Sequence, residues 1–225
     1  MRHEVEYGAR LAGADLRHAR LVWADLRGAD LSGANLSGAL LMGTHLNNAN
    51  LAKVDLTRAR LGAESPSRAA MLSGADASRA NMERADLRNV EIRRANLQGS
   101  NLSGADMSGA ILYRANMREA NLRGASLYLA FPLKVNLSNA NLESTVLLCT
   151  NMRGSNLSNA RLCNAHLNGA LLIDARLDGA QLGGDNCPPA NLNLANLTNA
   201  SLIGANLHGV SMRDATLRNA NLTGA

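Results

Sequence analysis

The stretch ADLRGADLSGANLSG, from Ala24 to Gly38, is one five-residue unit written three times. The same unit can be followed over most of the chain: Leu at the centre, a small residue two positions before it, and Asp or Asn one position before it. One run of units has its centres from Leu11 to Leu61, and a second run has them from Leu72 to Leu222. Such a repeat determines the architecture, because each unit can bury its apolar residues only against neighbouring units.

The period of five excludes regular secondary structure. An apolar stripe with this period would turn around an α-helix with its period of 3.6, and an odd period cannot stay on one face of a strand. The period fits a short extended piece followed by a turn. Four units then close a square coil of 20 residues, and residues 20 apart stack at ~4.8 Å. We therefore predict an all-β, quadrilateral solenoid of about ten coils.

Each position of the unit has a steric or hydrogen-bonding role in this coil. Leu at the centre and Ala two positions before it fill the shaft, and Gly two positions after the centre suits a turn with positive φ. Asp or Asn beside the turn accepts hydrogen bonds from local backbone N–H groups. Asn residues that recur every 20 positions predict a stacked amide ladder: Asn96, Asn116, Asn136 and Asn156.

The repeated A(D/N)LXX unit resembles that of the pentapeptide-repeat proteins over roughly residues 9–225. The resemblance implies a right-handed quadrilateral β-helix. It also implies one function to weigh, since some members protect DNA gyrase from quinolones by imitating duplex DNA. The basic charge, the single Phe and the absence of a dimerising C-terminal segment depart from those members.

Composition narrows the class of protein. The 225 residues are 46% hydrophobic but only 2% aromatic, so Ala and Leu form the core. The N-terminal sequence MRHEVEYGAR is polar, and no apolar segment approaches the length of a membrane span. We expect one cytoplasmic domain over residues 1–225 with a short N-terminal lead at 1–8. The final unit, ANLTGA, is in full repeat, so the last coil either pairs with another subunit or continues in a longer natural protein.

The residues that could support chemistry show no functional spacing. Cys149, Cys163 and Cys187 form neither a CxxC site nor a disulfide framework, so we expect them to be reduced. The five His residues show neither HxxxH nor HExxH spacing. A Leu-filled shaft leaves no cleft for a substrate. We predict no enzyme activity, no catalytic residue, no cofactor and no metal.

Three breaks interrupt the repeat. The spacing between Leu61 and Leu72 is eleven instead of ten, which predicts one inserted residue and a loop or bulge at about 62–70, with Pro66 replacing a centre. Pro132 also occupies a centre and removes one hydrogen-bond donor. The segment at about 183–190 keeps the register, so Cys187 is predicted at a centre, and the local wall should turn Asp185 toward solvent.

The register from Leu72 onward assigns outward residues to four faces. One face has its centres at 72, 92, 112, 132, 152, 172, 192 and 212, and it is joined to the preceding face by SLYLAFPLKV, Ser126–Val135. Apolar residues cluster on these two faces, while the other two are polar. The predicted protein-binding residues are Ile111, Tyr113, Tyr128, Leu129, Phe131, Leu133, Val146, Leu148, Leu171 and Ile173. A smaller outward group lies near the N-terminus: Val22, Trp23, Leu40 and Met42. Because of the break after Leu61, the register does not assign this group to the same faces or to different ones.

These observations leave three hypotheses. The apolar patch favours a rigid scaffold that binds another protein or forms a homodimer. The alternative is a gyrase-protecting DNA mimic with DNA gyrase as partner. A third hypothesis is an anionic membrane or polymer, bound through Arg93, Arg94, Arg114, Lys134 and Arg153. Nucleic acid is disfavoured, because the basic run from Arg79 to Arg94 is spread over all four faces and alternates with acidic residues.

Overall fold

The structure, a computed structural model, describes residues 7–225. Its backbone forms single parallel β-bridges between residues 20 apart, such as Arg10 with Asp30 and Asn116 with Asn136. Within that range no α-helix or continuous strand occurs, and one short 3₁₀ helix spans Pro66–Arg68. Most of the predicted lead at 1–8 lies outside the described residues.

The bridges form four columns, which we call sides 1 to 4 in the order that the chain visits them. Side 1 contains the bridge between Arg10 and Asp30, and side 2 that between Asp15 and Asn35. Side 3 contains the bridge between Arg20 and Leu40, and side 4 that between Asp25 and His45. The column of side 1 continues without a break to Asn221. The predicted quadrilateral coil is therefore observed directly in the pairing.

One unit consists of one bridge and one turn. The N–H of Leu31 donates to the carbonyl of Asn50 in the next coil (2.8 Å), and the N–H of Gly33 donates to Ala52 (2.9 Å). The N–H of Ala34 closes the turn on the carbonyl of Leu31 (3.0 Å). The second residue after the centre has positive φ, for example +64° at Gly33, which explains the recurrent Gly.

The centres and the small residues form the buried shaft. Leu31 and Ala29 are fully buried, and the same pattern holds from Leu26 to Ala205. A hydroxyl replaces Ala at some positions and bonds to the backbone, as Thr145 Oγ1 does to the carbonyl of Leu122 (2.9 Å). The shaft is thus filled along its length, as the Leu and Ala pattern predicts.

The predicted amide ladder is present on side 1. Asn96 Nδ2 donates to Asp76 Oδ1 (3.0 Å), and Asn116 Nδ2 donates to Asn96 Oδ1 (3.0 Å). Asn136 and Asn156 continue the ladder at 3.3 and 3.5 Å. Each Oδ1 also faces a backbone N–H two residues on, such as that of Arg118 for Asn116. The ladder therefore ties neighbouring coils together outside the shaft.

The first break is larger than predicted. His45 bridges Met71, 26 residues away, so this coil carries six extra residues and not one. Leu61 and Leu72 lie on successive sides, and the N–H of Ala70 donates to the carbonyl of Leu61 (2.8 Å), which closes the loop. Pro66 is exposed on the 3₁₀ turn and is not a centre. A loop lies at this place, and the expected insertion of one residue was wrong.

The second break is a five-residue insertion that the sequence register conceals. His166 bridges Asn191, 25 residues away, and the N–H of Ala190 donates to the carbonyl of Leu182 (2.7 Å). Cys187 is therefore in an outward loop and not at a centre. Asp185 is exposed, as expected.

The loop is joined to the coil below it by a disulfide. Cys187 bonds to Cys163 with an S–S distance of 2.04 Å, so the expectation that all three cysteines are reduced is wrong. The insertion folds Cys187 back over side 2, where Cys163 follows the centre Leu162. Cys149 is free and exposed.

Pro132 interrupts side 4 as predicted. No bridge joins Phe131 to Asn151, although their neighbours on side 4 are bridged. The proline has no N–H to donate to the carbonyl of Asn151. The N–H of Asn151 still donates to Ala130, at a long 3.3 Å.

Candidate protein-interaction surface

All ten predicted binding residues lie on the outside of the coil, on sides 3 and 4. Tyr128, Leu129 and Phe131 are about half exposed, at 46%, 48% and 48%. Leu171 is exposed too. The remaining residues are half-buried: Ile111, Tyr113, Leu133, Val146, Leu148 and Ile173.

The register brings eight of these residues together. On side 4, Ile111 bridges Phe131, and the N–H that follows Tyr113 donates to the carbonyl of Leu133 (3.0 Å). On side 3, Val146 bridges Ser126, two residues before Tyr128, and the N–H of Leu129 donates to Leu148 (3.3 Å). Tyr128 and Leu129 form the corner that leads into Phe131. We call this group the apolar patch: Ile111, Tyr113, Tyr128, Leu129, Phe131, Leu133, Val146 and Leu148.

Leu171 and Ile173 are separated from the apolar patch. Leu171 bridges Asn151, so a coil carrying Asn151 and Arg153 on side 4 lies between them and Phe131. The face assignment beyond Leu182 also changes. The five-residue insertion shifts the chain by one side, so side 4 continues through Asn196, and the predicted centres 192 and 212 lie on side 3.

The N-terminal apolar group lies on side 3. Arg20 bridges Leu40, which places Val22, Trp23, Leu40 and Met42 on this side. Three coils, with Gly62, Arg88 and Ser108 at the same position, separate the group from Tyr128.

The exposed apolar side chains that were not predicted include two at turn positions, Leu194 (65%) and Ile203 (45%), which follow the centres Leu192 and Leu202. Tyr7 and the centres Leu217 and Leu222 of the last coil are exposed as well. Leu194 and Ile203 carry the same signal, an apolar residue at a turn position, as the residues that were predicted.

Four cations form a row along the corner that follows side 4. Arg94, Arg114 and Lys134 occupy the same turn position in three successive coils, and Arg153 adjoins them in the next. All four are exposed, and none forms an ion pair within residues 7–225. The Arg114 guanidinium lies 5.1 Å from the centroid of the Tyr113 ring. We call these four residues the cationic ridge.

Other arginines nearby are neutralised. Arg88 pairs with Asp86 (2.8 Å), Arg93 with Glu91 (2.9 Å), and Arg84 contacts Glu83 at 3.7 Å. Burial alone would raise the pKa of Asp86, but the hydrogen bonds and charge of Arg88 outweigh it and hold that pKa below its ordinary value. The predicted compensated belt is therefore present at these arginines, but Arg79 and Arg94 form no ion pair within residues 7–225.

The remaining surface of the described residues has a shallow depression and no metal site. A shallow depression of about 260 Å³ lies beside the disulfide loop and is lined by Arg161, Gln181, Asp185 and Asn206. It lies on side 2, away from the apolar patch. The part of the chain that the structure describes contains no group of His, Cys, Asp and Glu side chains suited to a metal ion. No helix within this part could cross a bilayer.

Stacked five-residue units with a Leu shaft and four bridged sides define a β-helical repeat protein. The family model for pentapeptide repeats matches eight copies over most of the chain. The matched segments are 7–33, 24–62, 68–104, 91–127, 136–162, 155–184 and 190–225, and they stop at both insertions. The chain therefore belongs to the pentapeptide-repeat family, whose members fold as right-handed quadrilateral β-helices.

The chain also matches solved structures. The chain is 29% identical to HetL, a pentapeptide repeat protein involved in heterocyst differentiation regulation from the cyanobacterium Nostoc sp. strain PCC 7120. That match covers 96% of this chain and 88% of HetL, with a TM-score of 0.41. Trypsin-treated QnrB1, a plasmid-mediated fluoroquinolone resistance protein, is 21% identical over 84% of this chain and 90% of its own, with a TM-score of 0.65. The likeness to QnrB1 shows the fold. No curated protein matches the chain.

Proposed function

We propose that this protein is a non-enzymatic rigid scaffold of about ten coils whose apolar patch binds another protein or a second copy. The observation that supports it most is the contiguity of eight apolar side chains on sides 3 and 4. Tyr128, Leu129 and Phe131 project furthest and adjoin one another at a corner. Tyrosine is enriched among the residues that carry most of the binding energy at protein interfaces.

The energetics of the patch favour association. A cluster of eight such side chains is comparable to the few hundred Å² that monomers leave exposed as one patch. Complete burial of each large apolar side chain contributes about 1.5–3 kcal/mol, and here only the exposed part of each is available. The wall is already held by backbone bonds in every coil, such as that from Arg114 to Leu133. Little backbone ordering therefore opposes binding.

Gyrase protection is not proposed for this chain. The likeness to QnrB1 rests on 21% identity and shows the fold alone. A DNA mimic needs an acidic rod, whereas this chain carries a formal net charge of +5. In a supercoiling assay with gyrase and a quinolone, we expect no protection by stoichiometric protein.

A photo-crosslinking amino acid at position 128 tests the proposed scaffold. The matched control places the same group at Arg123, which is also exposed at the first turn position after a centre but belongs to side 2. In cells of the source organism, we expect a covalent protein adduct at 128 and much less at 123. Equal yields at both positions, or no adduct at 128, would contradict the proposal.

A further inference from the structure

We propose that the occupant of the apolar patch is an acidic amphipathic helix of another protein, which lies along side 4 with its carboxylates on the cationic ridge. This inference rests on the proposed function and specifies the partner's chemistry. It combines two neighbouring features of side 4: the apolar residues Ile111, Tyr113, Phe131 and Leu133, and the ridge at the corner that follows them.

The ridge differs from the arginines that a neighbouring carboxylate neutralises. Where Arg follows a centre directly, a carboxylate two residues before it often neutralises it, as Asp15 does Arg17 and Asp86 does Arg88. On side 4 the residues before the centres of the patch coils are Ile111 and Phe131, which carry no charge. The cations of these coils consequently have no carboxylate beside them. They provide uncompensated positive charge at the edge of an apolar surface, which favours a partner with the opposite charge.

The spacing of the ridge suits a helix. Arg94, Arg114 and Lys134 are separated by one coil each, ~4.8 Å, because each N–H donates to the adjacent coil. One helical turn advances 5.4 Å, so over four coils the side chains of a helix drift from the cations by only about 2 Å. Residues on one face of a strand advance ~6.7 Å each and lose the alignment. Gly74 precedes the ridge at this corner and Asp174 follows it. The row of cations therefore spans ~14 Å, or roughly ten residues of helix.

A second copy of the chain does not fit this surface as well. A two-fold axis across the rod would set most of the ridge against the ridge of the other copy. A two-fold axis along the rod would set it against the apolar corner at Tyr128 and Leu129. Neither arrangement supplies carboxylates to the cations, and burying unpaired charge opposes association.

A bilayer fits less well than a helix. Ile111, Tyr113 and Leu133 are half-buried in a flat wall. Interfacial helices, by contrast, bury their apolar face about 5–10 Å into the membrane boundary. These side chains can contact a partner laid on the wall, but they cannot reach that depth.

The test uses a labelled helical peptide of ~16 residues with a Leu stripe and a flanking row of Glu, measured by fluorescence anisotropy against the full chain. Its control peptide replaces each Glu with Lys. The ridge variant is Arg94→Glu, Arg114→Glu, Lys134→Glu. The matched variant is Arg58→Glu, Arg79→Glu, Arg84→Glu, which changes exposed arginines at the same turn position on sides 1 and 2 and alters the net charge equally.

We expect the Glu peptide to bind and the Lys peptide not to bind. The ridge variant should weaken binding by about tenfold or more and the matched variant by less than about threefold, with higher salt weakening the wild-type complex. Equal binding of both peptides, or no effect of the ridge variant, would overturn the proposal. Ridge-dependent binding to phosphatidylserine vesicles without peptide binding would overturn it in favour of a membrane.

Two results separate this inference from the proposed function. If position 128 crosslinks a protein but neither peptide binds, the scaffold stands and the acidic helix is rejected. If light scattering shows a dimer that Tyr128→Glu, Leu133→Glu, Leu148→Glu converts to a folded monomer, the occupant is a second copy and the inference fails. If there is neither an adduct nor peptide binding, both proposals fail.

Discussion

The disulfide between Cys163 and Cys187 ties the inserted loop after Leu182 to the coil beneath it, across 24 residues of chain. Backbone hydrogen bonds hold the loop as well. The N–H of Asn164 donates to the carbonyl of Pro188 (2.6 Å), and Ala190 closes the loop on Leu182. The covalent bond therefore adds a link to the backbone bonds that hold this part of side 2.

The double variant Cys163→Ser, Cys187→Ser should lower the thermal midpoint by about 5–10 °C, because closing a loop of this length contributes about 3 kcal/mol. Dithiothreitol should lower the wild-type midpoint similarly. The control, Cys149→Ser, removes the free thiol and should have little effect. Maleimide labelling checks the pairing: we expect one reactive thiol before reduction and three after it, and three before reduction would contradict the disulfide.

The Asn ladder should be sensitive to the loss of one donor. Asn116 donates to Asn96 (3.0 Å) and accepts from Asn136 (3.3 Å), so Asn116→Asp loses the donated bond and sets two oxygens against each other. We expect a loss of about 1 kcal/mol in the free energy of unfolding at neutral pH, measured by urea denaturation. Protonation below about pH 4 should restore part of it.

The control for this prediction is Asp76, the first member of that ladder. Asp76 only accepts hydrogen bonds, from Asn96 and from the N–H of Ser78. Asp76→Asn retains that acceptor and should change stability little. A similar loss of unfolding free energy in both variants would contradict the prediction, because only Asn116→Asp removes a donated hydrogen bond.

The repeat predicted most of the fold, and the reason for its failures is specific. An insertion of five residues is invisible to a five-residue period, yet it moves all later residues by one side. The five extra residues within 183–189 therefore moved the centres after Leu182 to other sides without changing the spacing of the repeat. Of the six extra residues before Leu72, five were hidden in the same way, and only the sixth changed the spacing from ten to eleven. The eight residues of the apolar patch keep the sides that the register predicted, because they lie between the two insertions.

The pairing of Cys163 with Cys187 was missed for the same reason. In uninterrupted register Cys187 would be an inward centre on side 3, and only the extra unit brings it over Cys163 on side 2. The uncompensated cationic ridge also depended on structure. Its charge is visible in the sequence, but the absence of neighbouring carboxylates follows from which residues stack on side 4.

Stability should depend on acid pH through Asp25. Arg27 Nε donates to Asp25 Oδ1 (2.8 Å), and these hydrogen bonds lower the pKa of Asp25 to about 2. The unfolded pKa is about 3.9, so the stabilisation is complete above about pH 4 and is lost as the pH falls through about 2. Because both side chains are partly exposed, solvent screening limits it to about 0.5–1 kcal/mol.

The measurement for Asp25 is the difference in unfolding free energy between wild type and Asp25→Asn across pH. We expect a constant difference from pH 7 to about 4 that disappears near pH 2. Arg27→Gln should reproduce the loss at neutral pH, since it removes the same pair. A difference that persists at pH 2 would assign the effect to packing and not to the charge of Asp25.

The single Trp offers a probe of how side chains at the turns cover the next coil. The Trp23 ring lies over Gly43, where an added Cβ would collide with Trp23 Cε3. Gly43→Ala must therefore displace the ring, in addition to the cost of a side chain at φ +69°. Gly33→Ala is the matched control, because Gly33 has φ +64° but no atom within 4 Å of the added Cβ.

Both variants should lose about 1 kcal/mol of unfolding free energy from the backbone conformation. Gly43→Ala should lose more and shift the Trp emission to longer wavelength. An unchanged emission spectrum in Gly43→Ala would mean that the indole does not rest on this glycine in solution.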